Sequence, residues 1–212
     1  KGRTNGWHVL CDSVRGAGKI LASNSQDAES NTPQAFPAFL SNGFRVGYNA
    51  GWYTNGSGSG ASQQQVAWCW KAGGAAVVNT DGSITTQVSA NQEAGFSIIS
   101  YSGTDANGTI GHGLGRQPKW VIVKKRSGSQ NWFVYHPGSN GVNSTSGANR
   151  DPRLQDGASA YTTSNIWNNT HPTSSVIHLG SSSGVNGNGA TYICYAWAEI
   201  PGSVSNTHLT LP

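Results

Sequence analysis

The feature that most constrains the fold is a pattern that occurs twice along the chain. Four motifs recur in the same order: "WHVL" (7–10) with "WFVY" (132–135), "FRVG" (44–47) with "IHLG" (177–180), "NGSG" (55–58) with "NGNG" (186–189), and "QVAWCW" (65–70) with "YICYAW" (192–197). Four ordered matches, offset by about 125 to 133 residues, indicate a duplicated unit rather than chance. The pattern therefore predicts one and a half to two copies of a unit of about 125 residues.

The repeat divides the chain into four predicted segments. These are copy one (1–74), a linker (75–94), copy two (95–202) and a C-terminal tail (203–212). Copy two begins with elements that have no counterpart in copy one, namely Phe96–Tyr101, the "GHGLG" loop and Lys119–Lys124. We therefore expect copy one to be incomplete at its N-terminal side. The chain also contains no Met, from which we expect a processed product or a fragment.

Five apolar, β-branched segments predict the strands. They lie at 95–103, 118–126, 131–136, 174–180 and 190–200, and Gly, Asn and Ser pairs separate them. In the second segment Trp120, Ile122 and Lys124 fall on one face, and the residues between them fall on the other. Helical periodicity is not sustained over three turns, and at most a short helix fits within 12–25. These patterns predict an all-β fold of the β-sandwich or jelly-roll type.

The stretch "WCW" at 68–70 is predicted to belong to a core strand. By analogy with 192–197, Val66, Trp68 and Trp70 would share an aromatic face, with Cys69 on the opposite face. The repeat exchanges Cys and Ala on that second face. Because a reactive thiol would not be exchanged for Ala, this pattern predicts that Cys69 is a small buried hydrophobe.

Charge and hydropathy exclude two classes of partner. Charged residues make up only 10% of the chain, and the 13 basic and 9 acidic residues are spread thinly. The one basic run, Lys124-Lys125-Arg126, ends a predicted strand and does not form the basic face of a nucleic-acid binder. No apolar run approaches the roughly 20 residues of a membrane helix. We therefore predict neither a nucleic-acid partner nor a membrane partner.

Catalytic and metal-binding patterns are also missing. The three cysteines lack CxxC spacing, and the six histidines lack HxH or HExxH spacing. Asp81, Asp105 and Asp151 stand singly, without the DxDxD spacing of a calcium loop. His112, in "GHGLG", is interpreted as part of a tight glycine corner between strands. "GSGSG" (56–60) has no strand-to-helix elbow. We predict no catalytic residue, no metal, no cofactor and no enzymatic activity.

Aromatic residues in polar loops are the remaining candidates for binding. Trp52 and Tyr53 lie among Gly and Asn, Trp167 lies in "SNIWNNTHP", and Tyr161 lies in "GASAYTTS". A Trp or Tyr ring stacks on a sugar ring while neighbouring amides bind its hydroxyls, so these four residues are predicted contacts for a glycan or a partner. For Trp167 the alternative is that its ring plugs one end of a sandwich.

Several motifs resemble one known kind of module. "NTDGSIT…VSAN…AGFSI", "GHGLG…PKWVIVK", "WNNTHPTSSVIHLG" and "YICYAWAEIPG" are similar to a tandem β module of tail-fibre-like and other virion-associated proteins of tailed phages, notably marine and cyanobacterial ones. The resemblance covers most of residues 1–202. It implies a structural or adhesive protein of the virion, an extracellular particle, but names no active residues. Its partners would be other virion proteins, copies of itself or a host-surface glycan.

Two alternatives stay open at this point. One is a carbohydrate-binding module of a secreted protein, which the loop aromatics would serve. The other is a glycan-degrading enzyme, which would need two carboxyl groups within about 10 Å of each other.

Overall fold

The computed structural model describes residues 7–47, 65–140, 152–155 and 164–200, which form an all-β fold as the sequence predicts. The strands are β1 (Val9–Leu10), β2 (Lys19–Ala22), β3 (Ser30–Asn31), β4 (Ala38–Leu40), β5 (Gly43–Arg45), β6 (Val77–Asn79), β7 (Thr86–Asn91), β8 (Phe96–Ser102), β9 (Gly108–Gly111), β10 (Pro118–Lys125), β11 (Trp132–Tyr135), β12 (Val176–Leu179) and β13 (Thr191–Ala198). A 3-10 helix spans Pro137–Asn140. In this described part, no helix is long and apolar enough to cross a lipid bilayer.

A six-stranded antiparallel sheet, the main sheet, organises the fold. Its strand order is β11-β10-β13-β8-β7-β6. β13 lies between β8 and β10, so that Tyr195 pairs with Ile98 on one side and with Ile122 on the other. The five segments predicted as strands correspond to β8, β10, β11, β12 and β13. β-branched and aromatic residues favour these strands because they pack well on a pleated, buried surface.

The ribbon formed by β9 and β12 packs on one face of the main sheet, called here the ribbon face. Ile110 of β9 and Ile177 and Leu179 of β12 are buried in one cluster with side chains of that face. The contributing sheet residues are Val88, Ile99, Tyr101, Val121, Val123, Phe133, Tyr135, Tyr192, Cys194 and Ala196. These residues alternate along their strands with residues of the other face, as the sequence predicts for β10 and β13.

Residues 7–36 cover the opposite face, called here the N-terminal face. Leu21 of β2 is buried against side chains of this face, and Leu10 and Val14 pack beside it. The sheet residues in the cluster are Phe96, Ile98, Ile122, Trp132, Ile193 and Tyr195. Both faces of the central strands of the main sheet are therefore covered by the chain itself, whereas Val77 and Val78 of the edge strand β6 are exposed.

A buried polar network fixes the N-terminal segment on this face. The Arg15 guanidinium forms an ion pair with Asp12 and donates to the Tyr195 hydroxyl at 3.2 Å. Tyr195 in turn donates to Asp12 Oδ2 at 2.7 Å, and burial raises its pKa well above the usual value. The side chain of Arg15 is fully buried, so its charge is compensated within the protein.

Glu29 extends the network to Arg126, the residue directly after β10. It lies 3.3 Å from Arg15 and accepts two hydrogen bonds from Arg126, at 2.8 and 3.0 Å. Burial alone raises the pKa of Glu29, but the hydrogen bonds and charge of Arg126, with those of Arg15, bring it below the usual value. Glu29 is therefore held as a carboxylate between two cations.

One local expectation is wrong. The predicted linker, 75–94, contains β6 and β7 and belongs to the main sheet, because Val77, Val78 and the alternating β7 sequence favour strands. Within 12–25, where at most a short helix is expected, the structure has turns followed by β2. Gly16 and Gly18 have φ of 90° and 78°, a left-handed conformation that stops a helix.

Candidate functional site

An exposed group of indole rings lies where β8 and β10 begin and β13 ends. Trp197 of β13 pairs with Phe96 of β8 on one side and with Trp120 of β10 on the other. The rings of Trp120 and Trp197 are stacked, with centroids 4.4 Å apart. Trp70 approaches Trp197 edge-on at 5.8 Å. Trp70, Trp120 and Trp197 are called here the tryptophan cluster.

The outer indoles of this cluster are open to solvent. Trp70 is 53% exposed and Trp120 is 36% exposed, whereas Phe96 beneath them is buried. The pairing of β10 with β13 shifts register between Pro118 and Trp120. Such irregularities bend a strand and re-aim its side chains, often beside binding sites.

The central indole carries a polar atom without a partner. The Nε1 atom of Trp197 is buried, and no group in the described residues accepts a hydrogen bond from it. An unpaired buried donor costs about 1–3 kcal/mol. Within the described part of the chain, the cluster therefore has an unpaired hydrogen-bond donor at its centre.

A polar depression lies next to the cluster. It is lined by Ser13, Lys71, Ala72, Gly73, Gly74, Ala90, Asn91, Gln92 and Glu93. Residues 71–74 continue directly from Trp70 and are held on β7 by side-chain bonds. Asn91 donates to the Lys71 carbonyl at 3.2 Å, and Ser89 donates to the Gly74 carbonyl at 2.7 Å. A Cβ on Gly73 would lie 2.0 Å from the Ala90 carbonyl oxygen, so this close approach requires glycine.

Of the four predicted binding aromatics, only Trp167 lies in the described part of the chain. Trp52, Tyr53 and Tyr161 lie outside the described residues. Trp167 is only 1% exposed, and its ring packs edge-on against Tyr135 at 5.9 Å in the ribbon-face core. A buried ring offers no face for a sugar, so the geometry favours the plugging role that the sequence left as the alternative for Trp167.

The prediction that residues 65–70 form a core strand is wrong. They lie outside every strand, and Val66, Trp68 and Trp70 are all exposed. Cys69 is exposed as well, whereas Cys194 in the matching motif is fully buried in β13. Apolar and small residues alternate in the same way in both motifs. Residues 192–197 pair with β8 on one side and β10 on the other, whereas no two described strands pair with 65–70 in this way.

His112 has a structural environment, as the sequence predicts. It is fully buried, its Nδ1 accepts a hydrogen bond from the Leu114 amide at 3.2 Å, and its Nε2 lies 3.3 Å from the Thr173 carbonyl. Burial lowers its pKa, which favours the neutral ring. Gly113 and Gly115, both at φ 68°, form the corner around it. Among the described residues, no group of three His, Cys, Asp or Glu side chains is placed to hold a metal ion.

The three thiols are expected to differ sharply in reactivity. Cys69 is exposed, whereas burial raises the pKa of Cys11 to about 12 and also raises that of Cys194. Since the thiolate is the reactive form, Cys11 and Cys194 should react with Ellman's reagent at pH 8 much more slowly than the exposed Cys69. One fast thiol in the native chain and three after denaturation are the expected counts. Two fast thiols in the native chain would contradict the burial of Cys11 or Cys194.

Comparison with protein families places the chain in one that has no assigned function. Residues 1–206 match the family described as a domain of unknown function, DUF7483. No curated protein and no solved structure matches the chain.

Proposed function

This chain belongs to the DUF7483 family, and we propose that it is a non-enzymatic structural module of a phage virion, of the tail-fibre kind. In this proposal the chain consists of tandem β-sandwich repeats of about 125 residues. The repeats supply a rigid frame, and polar loops and exposed aromatic rings contact the host surface or a neighbouring virion protein. The chain would then be found on the extracellular particle.

The observation that carries this proposal is the exposed tryptophan cluster at one end of the main sheet. The N-terminal segment and the β9–β12 ribbon bury the two faces of its central strands. Trp70 and Trp120 belong to neither of these buried clusters, and contiguous exposed aromatic surface marks a contact site. An attachment or assembly module needs such a surface and needs no catalytic group.

The motifs that resemble virion modules also have structural positions. "GHGLG" forms the corner around buried His112, and "PKWVIVK" and "YICYAW" form the central strands β10 and β13. These residues build the frame of the fold, which supports the proposal that the chain is a module of the kind it resembles. The resemblance itself names no ligand.

A carbohydrate-binding module of a secreted protein is the second candidate. The observation in its favour is that exposed indoles lie beside amide and charged side chains, a combination suited to sugars. The two candidates differ in where the protein is found rather than in the fold they require.

The test of the proposal is the protein content of purified phage particles. Mass spectrometry of particles banded in a density gradient should detect the chain in fixed ratio to the tail proteins, and gold-labelled antibody should mark the particle surface. Detection only in the medium of uninfected cells would favour the secreted module instead. Release of new reducing ends from host polysaccharide, abolished by replacing one Asp or Glu, would overturn the non-enzymatic assignment.

A further inference from the structure

We propose that the tryptophan cluster and the polar depression together form a binding site for uncharged pyranose rings of a surface glycan. This inference rests on the proposed attachment function and names its ligand class and its location. The site is built from other residues than the loop aromatics that the sequence suggested, and it lies at the end of the main sheet.

The first step is the availability of flat aromatic faces. Trp70 and Trp120 are both substantially exposed, and the C–H face of a pyranose stacks on an indole of similar width. Trp68, two residues before Trp70, is 71% exposed and offers a further indole close by in the sequence.

The second step is that these faces are held in place before a ligand arrives. Trp197 lies between Trp70 and Trp120 and contacts both rings, and Phe96 supports Trp197 at 5.1 Å and Trp70 at 6.3 Å. Aromatic rings fixed by neighbours lose little conformational freedom on binding. Trp120 and Trp197 are carried by strands of the main sheet, and Trp70, which lies outside the strands, is held by its contacts with Trp197 and Phe96, so the cluster is a preformed platform.

The third step is the polar chemistry beside the platform. Glu93 and Lys71 are exposed at the depression and supply one hydrogen-bond acceptor and one donor of opposite charge. Sugar hydroxyls both donate and accept, so they match such a pair. The balance of one cation and one anion favours an uncharged ring over an acidic polysaccharide or a nucleic acid, which would require a cluster of cations.

The size of the surface also favours a sugar over a protein. A stable protein interface buries roughly 800 Å² on each partner around an apolar centre. Here the surface consists of a few indoles, and the polar depression begins at Lys71, directly after Trp70. A surface of this size matches one or two sugar rings. A protein partner at the same rings is an outcome that the experiment below distinguishes.

The experiment uses the whole chain on an array of gluco-, galacto- and mannopyranosyl oligosaccharides, followed by calorimetry with each bound sugar. We expect binding, and we expect Trp70→Ala and Trp120→Ala each to weaken it at least about tenfold through loss of stacking. Phe44→Ala is the matched control, because Phe44 is 37% exposed on β5, outside both the cluster and the depression. This control should leave the affinity unchanged, and circular dichroism checks that all three variants fold.

Each other result has a definite meaning. Failure of the whole chain to bind any sugar on the array would overturn the inference, while detection in virions would leave the proposed function standing. Sugar binding that survives both tryptophan substitutions would overturn the site. Association of the chain with itself or with a virion protein that is lost in both variants, without sugar binding, would reassign the cluster to assembly. Sugar binding by a chain absent from virions would support the site and reject the virion role.

Discussion

Replacing Arg15 with Met is expected to lower the free energy of unfolding by about 3–5 kcal/mol, because a buried ion pair would lose one partner. The Arg15 side chain is fully buried and bonds Asp12, Glu29 and the Tyr195 hydroxyl. Without it, the Asp12 carboxylate would stay buried with no cation opposite. Urea unfolding followed by tryptophan fluorescence measures the change.

The matched control is Arg45→Met, since Arg45 is exposed on β5. Its effect should stay within about 0.5 kcal/mol, the usual range for surface substitutions. Tyr195→Phe, which removes only the hydroxyl bonded to Arg15 and Asp12, should give an intermediate loss of about 1–2 kcal/mol. Equal stability of the Arg15 and Arg45 variants would show that the N-terminal segment does not depend on the network.

The central strands could be predicted because their sequences carry the two signals of a buried strand, namely apolar residues at successive positions and turn residues at both ends. In β10, Val121 and Val123 face the ribbon while Ile122 faces the N-terminal segment, so apolar residues occupy successive positions. Such a run bounded by turn residues is typical of a strand buried on both sides. The same reasoning missed β6 and β7, because the repeat boundaries had assigned their residues to a linker.

The polar network could not be predicted, since it joins residues that are far apart in the sequence. Arg15 and Tyr195 are separated by 180 positions, and no spacing rule connects a lone Arg and Asp to a Tyr on a distant strand. Their meeting follows from the packing of residues 7–36 on the N-terminal face. Packing of this kind depends on the tertiary fold rather than on local periodicity.

The tryptophan cluster was also missed, although one signal for it is present in the sequence. Trp120 stands near the start of one predicted strand and Trp197 near the end of another. Antiparallel pairing of those strands would bring the two rings together. The sequence does not reveal which strands pair or in which register, and the structure shows that Trp120 lies opposite Trp197. The third ring, Trp70, was assigned to a core strand by analogy with 192–197. That analogy fails because a strand needs neighbours on its edges, and the alternation of a single segment does not supply them.

Replacing Trp132 with Ala is expected to cost about 3–5 kcal/mol of unfolding free energy, as for other large aromatic side chains in cores. Trp132 is fully buried on β11, and its Nε1 donates to the carbonyls of Ala22 and Ser25 at 2.9 and 3.0 Å. The substitution would leave a cavity under the N-terminal segment and remove the donor that both carbonyls share. Lys124, which is also fully buried and whose pKa burial lowers to about 8, would lose the ring lying 5.9 Å from its Nζ.

Trp120→Ala is the control for this change, because it removes the same side chain from the adjacent strand at a partly exposed position. We expect its cost to be about 1–2 kcal/mol, since Trp120 is already 36% exposed and belongs to neither buried cluster of the main sheet, although its stacking on Trp197 is lost. Denaturation midpoints of the two variants, compared with that of the unsubstituted chain, give the ratio of the two stability losses. A loss at Trp132 no larger than that at Trp120 would mean that residues 7–36 do not form a joint core with the main sheet.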